Sequence, residues 1–110
     1  TIFTYGDTIY VPGGQEVPDY LIAHESVHSK QQGDNPDAWW KRYIDEPHFR
    51  LQQEIEAYAR QYWFLCQRVK DRNARFRILN DIGNIIASRV YGNMITSQAA
   101  REMIRKEANV

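Results

Sequence analysis

The sequence of 110 residues lacks the features that indicate a secreted or membrane-spanning protein. It has one cysteine, Cys66, so no internal disulfide can form and folding does not require an oxidising compartment. No run approaches the roughly 20 apolar residues that cross a bilayer, and the first ten residues lack the basic and apolar regions of a signal peptide. We therefore expect a cytoplasmic protein that does not insert into membranes.

The chain also lacks an excess of either charge sign, because 14 basic side chains balance 14 acidic ones. The balance is not local: residues 1–59 carry four basic and ten acidic side chains, and residues 60–110 carry ten basic and four acidic. The basic side chains are densest from Arg68 to Arg77. A nucleic-acid-binding domain usually has a basic excess overall, so we expect these charges on solvated helix faces and do not expect a nucleic-acid partner.

The hydrophobic pattern predicts an α+β protein that is mainly helical, in one domain spanning residues 1–110. β-branched and aromatic residues flank Gly6-Asp7, which predicts a short N-terminal β-hairpin or sheet edge within residues 2–11. Helical periodicity and end signals then predict four or five helices. Their expected ranges are about 18–32, 38–44, 47–69, 76–88 and 97–106.

The strongest chemical signal is the H-E-x-x-H motif His24-Glu25-Ser26-Val27-His28 in the first predicted helix. Residues four apart share a helix face, so the imidazoles of His24 and His28 can reach one cation, and Zn²⁺ is the natural choice for two neutral imidazoles. Glu25 lies beside that face, close enough to act as general base on a metal-activated water.

A catalytic zinc needs a third protein ligand, and no histidine follows at short spacing. Two carboxylates in the long helix are available, and helical geometry separates them. At about 100° per residue, Glu54 lies about 60° from the apolar line through Leu51, whereas Glu56 lies about 140° away and points toward solvent. The expected metal ligands are therefore His24, His28 and Glu54.

These motifs resemble the gluzincin arrangement, in which a glutamate on a second helix completes an H-E-x-x-H site. The segment Glu54-Ile55-Glu56-Ala57 is similar to that of ImmA/IrrE-type regulatory peptidases. Small metallopeptidase-like proteins encoded by phages are similar in Leu21 to Gln32, Trp39-Trp40, Glu54 to Tyr58 and Tyr91 to Asn93. The resemblance implies a minimal zincin fold and zinc-dependent hydrolysis of a peptide or protein substrate in a host cytoplasm.

The resemblance leaves several roles open. The relatives usually place Asn or Asp four residues after the glutamate ligand, and here that position is Tyr58. Tyr58, Asp45, Asn80 or Asp81 could orient a histidine, and the substrate is expected to pair with the strand at Thr8 to Val11. The candidates for oxyanion stabilisation are His48, Tyr43, Tyr62 and Tyr91.

Two functions of different class are consistent with the sequence. The first is a zinc metallopeptidase in which Glu25 is the catalytic residue. The alternative is a catalytically inactive, zinc-stabilised interaction domain that binds a protein or nucleic acid through its basic C-terminal half. The substitution Glu25→Gln separates them, because it removes the general base without removing a metal ligand.

Overall fold

The computed structural model describes all 110 residues and confirms a mainly helical α+β fold with a small N-terminal sheet. The sheet is an antiparallel hairpin that turns at Gly6-Asp7 and pairs Phe3 with Tyr10. Five α-helices and one 3-10 turn (residues 89–91) follow. The elements are β1 (Phe3–Tyr5), β2 (Thr8–Tyr10), α1 (Asp19–Gln32), α2 (Pro36–Asp45), α3 (Pro47–Arg68), α4 (Arg72–Ile86) and α5 (Ser97–Ala108).

Side-chain caps explain where the later helices begin. The Asn35 side chain accepts the Ala38 N–H, and Pro36 occupies the first turn of α2, so this helix begins two residues before its expected start. The Asp71 side chain likewise accepts the Ala74 N–H, and α4 begins four residues earlier than its apolar pattern indicates. A capping residue lies outside the apolar pattern, so periodicity alone places these starts too late.

The apolar core lies among α3, α4, α5 and the 3-10 turn. Eleven buried residues form it, and all of them come after residue 50. Gly83 lets α4 approach α5 closely, since a Cβ atom there would lie 3.0 Å from the Ser97 carbonyl oxygen. The core members are Leu51, Ile55, Ala59, Tyr62, Cys66, Leu79, Ile82, Ile86, Tyr91, Ala100 and Ile104.

The hairpin is attached to α1 by polar side chains. Gln32 donates to the Thr4 carbonyl (2.8 Å) and accepts the Gly6 N–H (2.6 Å). Ser29 donates to the Gly6 carbonyl at 2.6 Å. These bonds occupy backbone groups at the sheet edge and hold β1 against the helix that carries the H-E-x-x-H motif. None of the helices is both long enough and apolar enough to cross a membrane.

Candidate metal centre

One face of α1 buries the H-E-x-x-H motif. His24, Glu25 and His28 are all buried, and each places one potential ligand atom within 4.8 Å of the others. The predicted geometry, with two imidazoles a helical turn apart on one face, is confirmed. The four buried residues of α1 are all polar, so this helix presents a polar site to the rest of the molecule.

Glu54 on α3 reaches both imidazoles. Its Oε1 atom lies 3.1 Å from His24 Nε2 and 3.0 Å from His28 Nε2. Glu25 Oε2 lies farther from His24 Nε2, at 3.9 Å. Glu54 is buried and Glu56 is exposed, as helical geometry predicted. Of the two buried carboxylates, Glu54 is therefore the one nearer to both Nε2 atoms.

The Nδ1 atom of each imidazole, which is the nitrogen that does not contact Glu54, contacts a glutamine. His28 Nδ1 lies 2.8 Å from Gln31 Oε1, and His24 Nδ1 lies 2.9 Å from Gln61 Oε1. The Gln31 amide nitrogen donates to the Gln53 carbonyl (3.0 Å) and to Glu56 (3.2 Å). This fixes the amide orientation of Gln31 and makes His28 Nδ1 the hydrogen-bond donor.

The position of this proton determines whether the Nε2 atom of the imidazole is a donor or an acceptor. A neutral imidazole that donates from Nδ1 has a lone pair on Nε2. The Nε2 atom of His28 then faces Glu54 Oε1, which is itself an acceptor. Two acceptors this close in a buried site require a positive charge between them, from a bound proton or from a metal ion.

With the imidazoles protonated, Glu54 forms an ion pair with the histidines, and the pKa values of Glu54 and His28 shift accordingly. Burial alone raises the pKa of Glu54, but its hydrogen bonds to His24 and His28 outweigh burial and hold the pKa well below its usual range. Burial lowers the pKa of His28, and the hydrogen bond and charge of Glu54 more than reverse this, so the pKa is raised. The site therefore favours an anionic Glu54 next to a cation.

The spacing of these atoms fits zinc. Ligands at about 2.0–2.1 Å from a tetrahedral ion lie about 3.3–3.4 Å apart. The separations of Glu54 Oε1 from the two Nε2 atoms, 3.1 and 3.0 Å, come within a few tenths of an ångström of that value. Two imidazoles and a carboxylate are also a ligand set that zinc accepts at catalytic sites. The residues present therefore fit the metal that the motif implies.

Glu25 is held from the sheet side. The Thr4 hydroxyl donates to Glu25 Oε1 at 2.8 Å and lies 3.2 Å from the Glu25 carbonyl oxygen. Thr4 is only 1% exposed, so water does not compete for this bond. The contact orients the Glu25 carboxylate and places Oε2 on the side of the imidazole pair.

Tyrosines surround the same site. The Tyr43 hydroxyl donates to Glu54 Oε2, and the Tyr58 ring packs edge-on against His24 with its centroid 4.4 Å from the imidazole centroid. Tyr91 lines the same cleft as Tyr43 and Tyr58. Burial raises the pKa of Tyr43 and of Tyr91, so both hydroxyls remain protonated donors at neutral pH.

A cleft of about 610 Å³ leads to the centre. Apart from His24, Glu25, His28 and Glu54, its walls carry no acidic, basic or histidine side chain. Val90 is 74% exposed at this cleft, which gives the entrance an apolar side chain. The cleft therefore has mostly apolar walls around a polar centre.

Three of the expected neighbours do not line the cleft. We expected a peptide substrate to pair with the strand at Thr8 to Val11, but no residue of β2 lines the cleft, which is bordered by residues 1–4. Of the oxyanion candidates, Tyr43 and Tyr91 line the cleft, whereas His48 and Tyr62 do not. Tyr62 belongs to the apolar core. The β-hairpin approaches the site through its first strand because Thr4 packs against Glu25.

The residues that orient the histidines also differ from expectation. Tyr58 contacts the His24 ring only through its edge, and Asp45 pairs with Lys41. Asn80 accepts from Arg101, and Asp81 is exposed. The contacts come from Gln31 and Gln61 instead. The i, i+3 spacing of His28 and Gln31 in the sequence could have predicted their contact. The contacts of Gln61 and Thr4 could not be predicted in this way, because each lies far along the chain from its partner.

Comparison of the chain with protein-family models, with curated proteins and with solved structures gave no match. The assignment of function therefore depends on the geometry of the centre.

Proposed function

We propose that this protein is a zinc-dependent peptidase in which His24, His28 and Glu54 hold the metal and Glu25 is the general base. The observation that carries the proposal is the convergence of three buried atoms that can bind a metal: the Nε2 atoms of His24 and His28 lie 3.1 and 3.0 Å from Glu54 Oε1. Zinc, when bound, would acidify a water molecule and polarise a carbonyl group. The gluzincin-like motif supports the same assignment.

The remaining chemistry falls to side chains of this chain. Glu25 accepts a proton from the attacking water and transfers it to the leaving amine, which makes it a base and then an acid in one cycle. Its Oε1 atom is bonded to Thr4, so Oε2 is the oxygen available to the proton. Tyr91 lines the cleft with a protonated hydroxyl and is the tyrosine donor available to a developing oxyanion, because the Tyr43 hydroxyl donates to Glu54 Oε2.

The cleft supports a peptide as the substrate class. It is long enough to be lined by residues from the sheet, from four helices and from the 3-10 turn, and it has no Lys or Arg in its walls. The backbone of a peptide needs hydrogen-bond partners, and the Tyr91 hydroxyl lines the cleft as one of them. Apolar side chains of the substrate would pack against the apolar walls.

The first test is the metal content of the reconstituted protein by elemental analysis. We expect one zinc ion per wild-type chain, retention by Glu56→Ala and loss by Glu54→Ala, because Glu54 and not Glu56 faces the imidazoles. Glu56 is a matched control, as it lies on the same helix and is exposed. Equal zinc binding by Glu54→Ala would exclude Glu54 as a ligand, and a wild-type chain without affinity for zinc would refute the proposal.

The second test separates catalysis from metal binding. Glu25→Gln preserves the shape of the side chain and the bond from Thr4 but removes the basic oxygen. We expect zinc content to be unchanged and peptide turnover to fall by about 10²–10⁴-fold, the usual contribution of general acid–base catalysis. Turnover is measured on a mixed peptide library by mass spectrometry. Undiminished turnover by the variant would favour another base, and a wild-type chain that binds zinc without cleaving any peptide would favour the zinc-stabilised interaction domain.

A further inference from the structure

A second cavity, of about 340 Å³, lies where α3 ends, α4 begins and α5 ends. Its lining has no residue in common with the metal cleft. We call it the basic cavity, because four of its lining residues are cations and none is Asp, Glu or His. The cations are Lys70, Arg72, Arg75 and Arg105. The volume falls in the range of cavities that hold a ligand, about 300–1,000 Å³.

The cations of the basic cavity have no acidic partner within the fold. None of them takes part in an ion pair, and every ion pair of the structure lies within residues 24–54. Asp71 is adjacent to Lys70 and Arg72 in the chain, but its side chain caps α4 and does not line the cavity. Val110, the last residue, adds at most one carboxylate. The lining therefore has a net charge of at least +3.

This concentration of positive charge depends on the tertiary structure. The densest basic stretch of the sequence ends at Arg68 and Arg77, and neither of these residues lines the cavity. Arg105 does line it, from the last turn of α5. The balanced overall charge predicts no nucleic-acid partner, but the potential inside a cavity is dominated by the nearest charges. The basic cavity can therefore bind an anion although the whole chain is neutral.

An aromatic ring is exposed among these cations. Phe76 is 58% exposed and lines the basic cavity. It follows Arg72 by four residues on α4, so the two side chains share a helix face. Guanidinium groups lie over four aromatic rings of this protein, and Phe76 is not one of them. No other aromatic ring packs against it. The Phe76 ring is therefore available for stacking.

We propose that the basic cavity binds a single-stranded nucleic acid, with phosphates against its cations and one unpaired base stacked on Phe76. Cations that contact the backbone and an aromatic ring that stacks on a base are the usual means by which single strands are bound. A duplex would use only the cations, because its bases stack on one another. An acidic peptide would likewise pair with the cations but gain no stacking on Phe76. The inference depends neither on zinc nor on catalysis.

The test is fluorescence anisotropy with labelled oligo(dT) of about 12 nucleotides, a length within the usual site size for single strands. A DNA duplex and a Glu-rich peptide, both of equal charge, are the comparison probes. We expect the wild-type protein to bind oligo(dT) more tightly than either of them. The logarithm of the association constant should fall linearly with the logarithm of the salt concentration, because bound phosphates release counterions.

Two variants separate the ring from the charges. Phe76→Leu keeps an apolar side chain but removes the ring, and it should weaken oligo(dT) binding by about fivefold or more, the usual effect of losing one stacked base. Lys70→Gln with Arg72→Gln should lower the steepness of the salt dependence by about 1.4, since each phosphate contact contributes about 0.7. Arg75 is left intact because it also donates to the backbone carbonyls at the end of α3.

The matched control is Lys30→Gln with Arg89→Gln. It removes one Lys and one Arg from exposed positions outside the basic cavity and should bind oligo(dT) like wild type. Thermal melts verify that all variants fold.

The inference is overturned if the wild-type protein does not bind oligo(dT) at low salt, if Phe76→Leu binds it as tightly as wild type, or if the control variant loses as much affinity as the test variant. Equal or tighter binding of the duplex would indicate a site for phosphates alone, and equal or tighter binding of the Glu-rich peptide would indicate an acidic protein partner. None of these outcomes bears on zinc content or on the dependence of turnover on Glu25, so failure here is distinguishable from failure of the proposed function.

Discussion

The two halves of this molecule are stabilised by different kinds of interaction. In residues 47–110 the core is apolar, with eleven buried residues packed among three helices and a 3-10 turn. In residues 1–46 the only buried hydrophobic residue is Trp39. The other buried residues there are polar, namely Thr4, His24, Glu25, His28 and Gln32. The C-terminal half can fold by burial of apolar surface, whereas the N-terminal half depends on polar partners that converge correctly.

This difference indicates where the proposed metal ion would stabilise the fold. A polar cluster that is fully paired is rigid, and one that lacks a partner is costly, because a buried acceptor without a donor loses its hydration. Glu54 extends from the apolar half into the polar half and meets His24 and His28 there. A cation at this point would join the two halves through one carboxylate.

The largest expected effect is that of removing zinc. Chelation should lower the free energy of unfolding by about 4 kcal/mol under conditions where free zinc had been at about 1,000 times its dissociation constant. Hydrogen exchange should show the loss first at amides of β1 and α1, and later in α4 and α5. Equal loss of protection in both halves would contradict the comparison, and Glu54→Ala should reproduce the chelated state without a chelator.

The next effect is a cavity in the apolar half. Ile104 is 0% exposed on α5, so Ile104→Ala should destabilise the zinc-loaded protein by about 2–5 kcal/mol in urea unfolding. Zinc stoichiometry should not change, because the cavity lies in the half without ligands other than Glu54. Met103→Ala is the matched control, since Met103 is 43% exposed on the same helix and should cost far less. Loss of zinc in the Ile104 variant would show that the halves are not separable.

The smallest effect concerns the glutamine that fixes the His28 tautomer. Gln31→Leu removes the acceptor of His28 Nδ1 and should weaken zinc affinity by about 10–100-fold, the usual effect of losing such a contact. A competition titration with a chromophoric chelator measures the change. Gln67→Leu on α3 is the control, because Gln67 is exposed and bonds only to the carbonyl of Trp63. Unchanged zinc affinity in the Gln31 variant would show that Gln31 does not contribute to zinc binding.

Much of the fold could be predicted from the sequence because it depends on local signals. The Gly6-Asp7 turn, the long apolar stripe of α3 and the fold class are all confirmed. The starts of α2 and α4 were placed late, since the side chains of Asn35 and Asp71 cap helices ahead of their apolar patterns. In both cases the sequence contains the capping residue. A single residue does not change the hydrophobic periodicity from which the helix starts were predicted.

The sequence by itself determined that His24, Glu25 and His28 share a helix and that Glu54, not Glu56, borders the buried face. Helical geometry requires both, because a turn of 3.6 residues fixes which side chains point together. Only the tertiary structure decided which strand borders the cleft, which glutamines orient the imidazoles and that Thr4 holds Glu25. Most of these contacts join residues that are far apart in the chain, and in the others several nearby residues could have made the same contact. No local periodicity predicts them, because only the packing of the folded chain selects which residues meet.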